Sequence, residues 1–161
     1  MTLNFQGKTL EFHDEHANLR QLLLLSCLSG RPFILKGIRG EDENPGLRSY
    51  EVNLLKLIEK MTNGTEININ KTGTKLIFKP GIIDCFEGLL IEHKCDLARS
   101  VTYYLEVACL LGIFGKTTLN MELEGNTIDE IDQTVDSFKS SLTHLLTQFG
   151  ADNSLKIQVK K

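Results

Sequence analysis

GIRGEDENPGLRSYE (37–51) decides how the chain is read, because it is a polar, Gly- and Pro-punctuated loop between an apolar strand and an apolar helix. Pro45-Gly46 is a turn signal: proline presets φ, and glycine accepts the conformation that follows. Ser49 stands where a helix N-cap belongs, just ahead of the apolar-periodic run that starts at Tyr50. Gly37 and Gly40 bracket Ile38-Arg39, and Arg39 and Arg48 flank the acids Glu41, Asp42 and Glu43. Loops held by rigid neighbours are where binding residues collect. A solvated connection with no task fits the same pattern.

Upstream, Pro32–Lys36 is a short apolar strand, preceded by a helix that Asn18 caps and that runs to about Leu28. Leu19, Leu22, Leu23, Ser26 and Cys27 follow helical spacing, and Leu24, Leu25 and Leu28 widen the stripe, so broad coverage of this helix is expected. Gly30 is placed to end it, with Pro32 just beyond. Residues 6–16 gather His13, Asp14, Glu15 and His16; they read as a loop and helix start, because no pair has a spacing that fixes metal geometry. Met1–Phe5 reads as a short strand.

Downstream, Leu54, Leu57, Ile58 and Met61 give a second helical face, and Asn63-Gly64 ends it. Ile67 and Ile69 then alternate with Glu66, Asn68 and Asn70; Thr72-Gly73 turns the chain; Leu76 and Phe78 alternate on the return to Pro80-Gly81. The remainder repeats that order. Residues 82–93 hold one or two strands, and Leu97, Val101, Tyr104, Leu105 and Ala108 form a helical stripe ended by Gly112. Leu119, Met121 and Leu123 alternate in a strand. Thr127 and Glu130 make a capping box for the longest helix, which steps through Ile128, Ile131, Val135, Phe138, Leu142, Leu145 and Phe149 to Gly150. Leu155, Ile157 and Val159 finish as a strand.

The expected class is therefore α+β in two layers. Repeated β-α-β-α-β-β units, 1–81 and 82–161, pack helices on one face of small four-stranded sheets. Hydrophobic residues make up 41% of the 161 positions and charged residues 24%, the balance of an ordinary globular protein. A net charge of −3 argues against a chain that coats nucleic acid non-specifically, and the longest apolar run is too short to cross a bilayer. Cys27, Cys85, Cys95 and Cys109 form no CxxC pair; Cys27 and Cys109 fall on apolar helical faces and read as reduced core thiols. The N-terminus is polar from Asn4 onward, unlike a signal peptide.

LRQLLLLSCLSGRP (19–32), IRGEDENPGLRSYEVNLLKLIEKMTNGT (38–65) and TGTKLIFKPG (72–81) together resemble the RNA 3′-terminal phosphate cyclase family, and FGADNSLKIQVKK (149–161) resembles the end of its second repeat. The inserted small domain and the third repeat of that family have no counterpart here. The resemblance implies one of two activities. One branch uses ATP to cyclise RNA 3′-phosphates through an adenylated histidine; the other, cyclase-like, acts in assembly of the small ribosomal subunit without that activity. Arg20 and Arg39 match arginines of the enzymes. HDEHA (13–17) stands where the enzymes carry a Gly-rich segment, Asp42 replaces a further arginine, and Tyr50-Glu51 replaces Gln-His, as in the cyclase-like branch. IDCFEG (83–88) departs from both branches, which place paired glycines there. His13, His16, His93 and His144 lie in no motif matching the nucleotide acceptor, and His144 reads as a partly buried structural residue.

The resemblance thus implies a non-catalytic factor in 18S pre-rRNA processing, set in the nucleolus, with the processome GTPase and the pre-rRNA or small-subunit precursor particle as partners. The alternative is an ATP-dependent cyclase, active or degenerate. No cofactor, metal or catalytic residue is expected. Arg20, Arg31, Arg39, Arg48 and Tyr50 are the candidate contacts to RNA or partner, because guanidinium groups pair bidentately with phosphate or carboxylate. Self-association through the second repeat is also expected, since an alternating terminal strand is open to pairing.

Overall fold

The computed structural model describes residues 9–84, 88–150 and 155–160. Its first unit is built on β1 (Leu10–His13), α1 (Leu19–Ser29), β2 (Phe33–Lys36), α2 (Ser49–Met61), the two-residue β3 (Thr62–Asn63), β4 (Glu66–Ile69) and β5 (Lys75–Lys79). Strands run in the order β1-β2-β5-β4. β1 is parallel to β2, as a helical crossover requires, and β5 is antiparallel to both β2 and β4. Phe33 and Leu35 face Phe78 and Leu76 across that ladder, and all four are buried. The helices cover this face with Leu19, Leu23, Leu54, Leu57 and Ile58.

β6 (Ile82–Ile83) pairs with β3 and leads to the second unit: β7 (Leu90–Lys94), α3 (Val101–Ile113), β8 (Asn120–Glu124) and α4 (Val135–Gln148). β7 and β8 are parallel, so β7-α3-β8 repeats the βαβ connection of β1-α1-β2. One apolar core joins both units, from Leu19 of α1 and Leu57 of α2 to Tyr104, Val107 and Leu111 of α3, which is buried on nearly every side. His93 lies in this seam, 2.8 Å from Asn53 of α2, with its ring centroid 5.9 Å from that of Tyr104 at a tilt of 49°. Burial, aided by Lys60 and Lys56, pushes its pKa down to about 4, so it is neutral at pH 7.

The α+β class and the first four-stranded sheet follow the sequence reading; several elements differ. β1 occupies Leu10–His13, inside the stretch read as a polar loop, because its register comes from pairing with β2 and not from its own alternation. The proposed strand at 1–5 lies outside the described residues, as do Cys85 and half of the 83–88 departure. α1 leaves Leu25 60% exposed and Leu28 39% exposed, so it is covered on one face only. Arg48, not Ser49, precedes the first turn of α2.

Among the described residues the second sheet has two strands where four were expected, and 155–160 form no strand. α4 begins at Val135, not near Thr127. Asp129 accepts backbone N–H groups from Asp132, Ile131 and Ser100, and these bonds both depress its pKa and hold 129–132 in a turn that competes with helix. Ile128 and Ile131 are consequently exposed, and Thr134 caps α4 by accepting the Ser137 N–H. The buried face of α4 rotates onto Val135, Leu142 and Leu146, leaving Leu145 and Phe149 exposed. His144 is exposed and pairs with Gln148. Cys27, Cys95 and Cys109 are buried free thiols whose pKa burial raises to about 12.

Candidate functional site

The 37–51 loop folds down onto the β4–β5 turn. Ile38 N–H donates to Thr74 O at 3.0 Å, Leu47 N–H to Gly73 O at 3.0 Å, and Gly46 N–H to Ile38 O at 2.9 Å. Gly46 has φ +92, and a Cβ there would collide with the Thr72 carbonyl, so glycine is required. Arg39 sits in the left-handed region at φ 45, rare for a side-chain-bearing residue. Its guanidinium holds both Glu51 oxygens at 2.8 Å and donates to Gly46 O at 3.2 Å. The side chains are 10% and 3% exposed. The hydrogen bond to Glu51 raises the Arg39 pKa further, against the opposing effect of burial. Glu51 also accepts the Arg48 N–H at 2.7 Å, fixing the first turn of α2. Arg48 itself bonds Asn44 O at 2.7 Å and Asp42 at 3.3 Å on the surface.

A second cluster lies where the two units meet. Tyr50 and Tyr103 pack edge to face with centroids 5.4 Å apart. Arg99 stacks 4.4 Å from the Tyr103 centroid and 5.2 Å from that of Tyr50, and Arg20 lies 4.6 Å from Tyr103. Each cation also has a carboxylate. Arg99 grips Asp132 at 2.6 and 2.7 Å, and Arg20 binds Glu106. The Asp132 hydrogen bond raises the Arg99 pKa, and burial raises that of Tyr103, so the cluster holds its charges and its phenol across the physiological range.

The family description RNA 3′-terminal phosphate cyclase matches residues 13–161. The chain belongs to that family. It is 46% identical over 134 residues to a mouse RNA 3′-terminal phosphate cyclase-like protein, covering 83% of this chain and 35% of the mouse protein. It is 44% identical over 146 residues to a probable RNA 3′-terminal phosphate cyclase-like protein of Arabidopsis thaliana, covering 89% of this chain and 38% of that one. The Saccharomyces cerevisiae rRNA processing protein RCL1 is 38% identical over 133 residues, with 83% and 35% covered. The chain thus spans between a third and two fifths of the length of these relatives.

Within this family member, the five candidate residues fall into three settings. Arg39 is committed to Glu51 inside the loop; Arg20 and Tyr50 join the Tyr103 cluster; Arg31 and Arg48 stay at the surface. Arg31 is exposed, and its carbonyl accepts the Ser26 hydroxyl. Sequence reasoning missed Arg99, Tyr103 and Asp132. Arg99 and Asp132 stand 33 positions apart, and no periodic pattern links them. In the 13–17 stretch the His13 ring packs against Gly37, and Asp14 is bonded to His16 at 3.1 Å.

Proposed function

We propose that the chain works in ribosome biogenesis as a non-catalytic binding component of 18S pre-rRNA processing and small-subunit assembly. The observation that supports this best is the fate of Arg39. A guanidinium that would serve a phosphate in a cyclase is turned inward onto Glu51, at the place where the enzymes of the family carry Gln-His. Asp42, in place of a further arginine, takes the Arg48 side chain. The Arg39 charge is thereby spent inside the loop, while Arg48, 3.3 Å from Asp42 in an exposed pair, stays at the surface. The yeast relative's name, rRNA processing protein, supports the same direction.

In this reading Arg31 and Arg48 are the exposed contacts to RNA or to an acidic partner surface, with Tyr50 as the adjoining ring. The setting is the nucleolus, and the partners are the processome GTPase and the small-subunit precursor particle. Two measurements test it. The purified chain, incubated with radioactive ATP and an RNA bearing a 3′-phosphate, is expected to carry no covalent AMP and to yield no cyclic end; either product overturns the non-catalytic assignment. In a gradient of nuclear extract the chain is expected to migrate with small-subunit precursors, and Arg31→Glu/Arg48→Glu to remain at the top. Equal migration of both proteins would remove the assigned contacts.

A further inference from the structure

The chain passes from the first unit to the second through a short ladder, in which β3 pairs antiparallel with β6. Asp84 N–H donates to Met61 O at 3.1 Å, so the alternation of such a ladder makes Asn63 the next residue to exchange main-chain bonds, with Ile82. Side chains reinforce the joint. The Thr62 hydroxyl donates to Ile58 O at 2.7 Å and lies 2.6 Å from the Thr65 hydroxyl, which accepts the Gly81 N–H at 2.8 Å. Gly81 packs so closely that a Cβ on it would collide with Asn63 O and Thr65 N. Met61 and Thr62, just ahead, are buried.

Inside this joint sits Asn63-Gly64, the only Asn-Gly pair in the sequence. The Asn63 side chain is exposed, and its carboxamide has no hydrogen-bond partner among the described residues. The Gly64 N–H likewise donates to no group among them. Gly64 is exposed at φ +83, and nothing lies within 4 Å of where a Cβ would stand, so no side chain crowds the approach of its nitrogen to Asn63. Other asparagines lack this combination. Asn44 precedes a proline, which has no N–H. The Asn53 and Asn70 carboxamides are bonded, to His93 and Lys94 O and to Thr72, Thr74 and the Lys75 N–H. Asn68 and Asn120 precede Ile69 and Met121 within strands.

We propose that Asn63-Gly64 deamidates spontaneously and that its isoaspartyl product opens the β3–β6 joint. The Gly64 nitrogen, giving up its proton to solvent base, attacks Cγ of Asn63; the bond from Cγ to the amide nitrogen breaks, and ammonia leaves. Water then opens the resulting five-membered succinimide. Opening at Cγ gives aspartate, whereas opening at the main-chain carbonyl gives isoaspartate, in which the chain runs on through Cγ. Water is the only co-reactant. Isoaspartate lengthens the main chain by one carbon and frees, as a carboxylate, the carbonyl that faces Ile82. The change falls where Gly81 leaves no slack, in a ladder too short to hold without its own bonds.

The intact chain is aged in mildly alkaline buffer at body temperature and digested with trypsin, and the 61–71 peptide is followed. Mass spectrometry reads the deamidation, and an isoaspartate methyltransferase with a radioactive methyl donor reads the isoaspartate. The peptide is expected to gain about 1 Da and to take the label at residue 63, at least about tenfold faster than any other asparagine among the described residues. Asn63→Gln is expected to take no label, because the longer side chain must close a six-membered ring. In the aged, isoaspartyl chain, hydrogen exchange at the Ile82 and Asp84 amides is expected to quicken by at least about tenfold. Freshly purified Asn63→Asp, with the same added charge on an unaltered main chain, is expected to stay within about twofold of the fresh natural chain. No label at residue 63, or equal label in Asn63→Gln, overturns the site. Unchanged exchange in the isoaspartyl chain, or equal acceleration in Asn63→Asp, overturns the opening of the joint by the lengthened main chain.

Discussion

The first and second βαβ units share a connection but not a degree of closure. β2 carries Phe33 and Leu35 at 2% and 0% exposure because β5 sets Phe78 and Leu76 beside them. The equivalent apolar residues of β8, Met121 and Leu123, are half-buried, with one sheet neighbour and a groove. Strand identity is thus set by alternation, whereas the depth of burial is set by the second neighbour. The same contrast separates α2, whose five apolar core residues are all at 1% exposure or less, from α4, where Val135, Leu142 and Leu146 keep 6 to 8%.

The sharpest way to break that comparison is to remove Glu51. Glu51→Ala leaves the Arg39 guanidinium buried, unpaired and held in a left-handed backbone, and should cost roughly 3–5 kcal/mol in a denaturant titration. A loss below about 1 kcal/mol would mean that water reaches Arg39 and the loop is not the rigid element described. The next test sets the sheets against each other. Phe78→Ala should cost about 3–5 kcal/mol, as a fully buried aromatic deletion does, and Leu123→Ala only about 1 kcal/mol. Equal losses would show that the second sheet is as closed as the first.

His93 sharpens the seam between the units. Its folded pKa of about 4 lies below the ordinary value of 6.5, so the folded state binds fewer protons than the unfolded state between those values. Its contribution is present above pH 6.5 and is lost as pH falls toward 4, roughly 1–3 kcal/mol in all. Thermal melts from pH 7 to 4.5 should show a steeper fall for the natural chain than for His93→Gln. Parallel curves would mean that the ring titrates freely and that Lys56, Lys60 and Asn53 do not enclose it.

Much of this was legible in the sequence because it is local. Helical spacing located α2 and the Val101–Ala108 part of α3, although Leu97 lies ahead of that helix and is 66% exposed and Gly112 lies inside it; Thr72-Gly73 located the β4–β5 turn, and Gly30 adopted the left-handed end expected of it, at φ 68. What escaped is set by partners far along the chain. β1 is a strand because β2 lies beside it, and its own residues, Leu-Glu-Phe-His, sit among polar neighbours. The Arg99–Asp132 and Arg20–Glu106 pairs span 33 and 86 positions. Arg39 was visible as a cation in a loop, but its inward turn depends on the φ of one residue and on Glu51 in the next helix. The candidate surface was therefore half legible, in residue type but not in which cations are spoken for.

The smallest expected effect concerns where α4 begins, and it separates two readings of one stretch. Thr127 and Glu130 satisfy the spacing of a capping box, and Ile128 and Ile131 extend the apolar period; in the structure, Asp129 takes three backbone N–H groups and ends that possibility. Thr134 then becomes the cap, its hydroxyl accepting the Ser137 N–H at 3.3 Å. Thr134→Ala should cost about 1 kcal/mol, the usual loss at an N-cap. Thr127→Ala and Ile131→Ser should stay within about 0.5 kcal/mol, as for exposed positions away from caps and core. Circular dichroism with chemical denaturation resolves the three variants. The reverse ranking, with Thr127→Ala and Ile131→Ser costly and Thr134→Ala silent, would place the helix start at 127 and return Ile128 and Ile131 to the buried stripe.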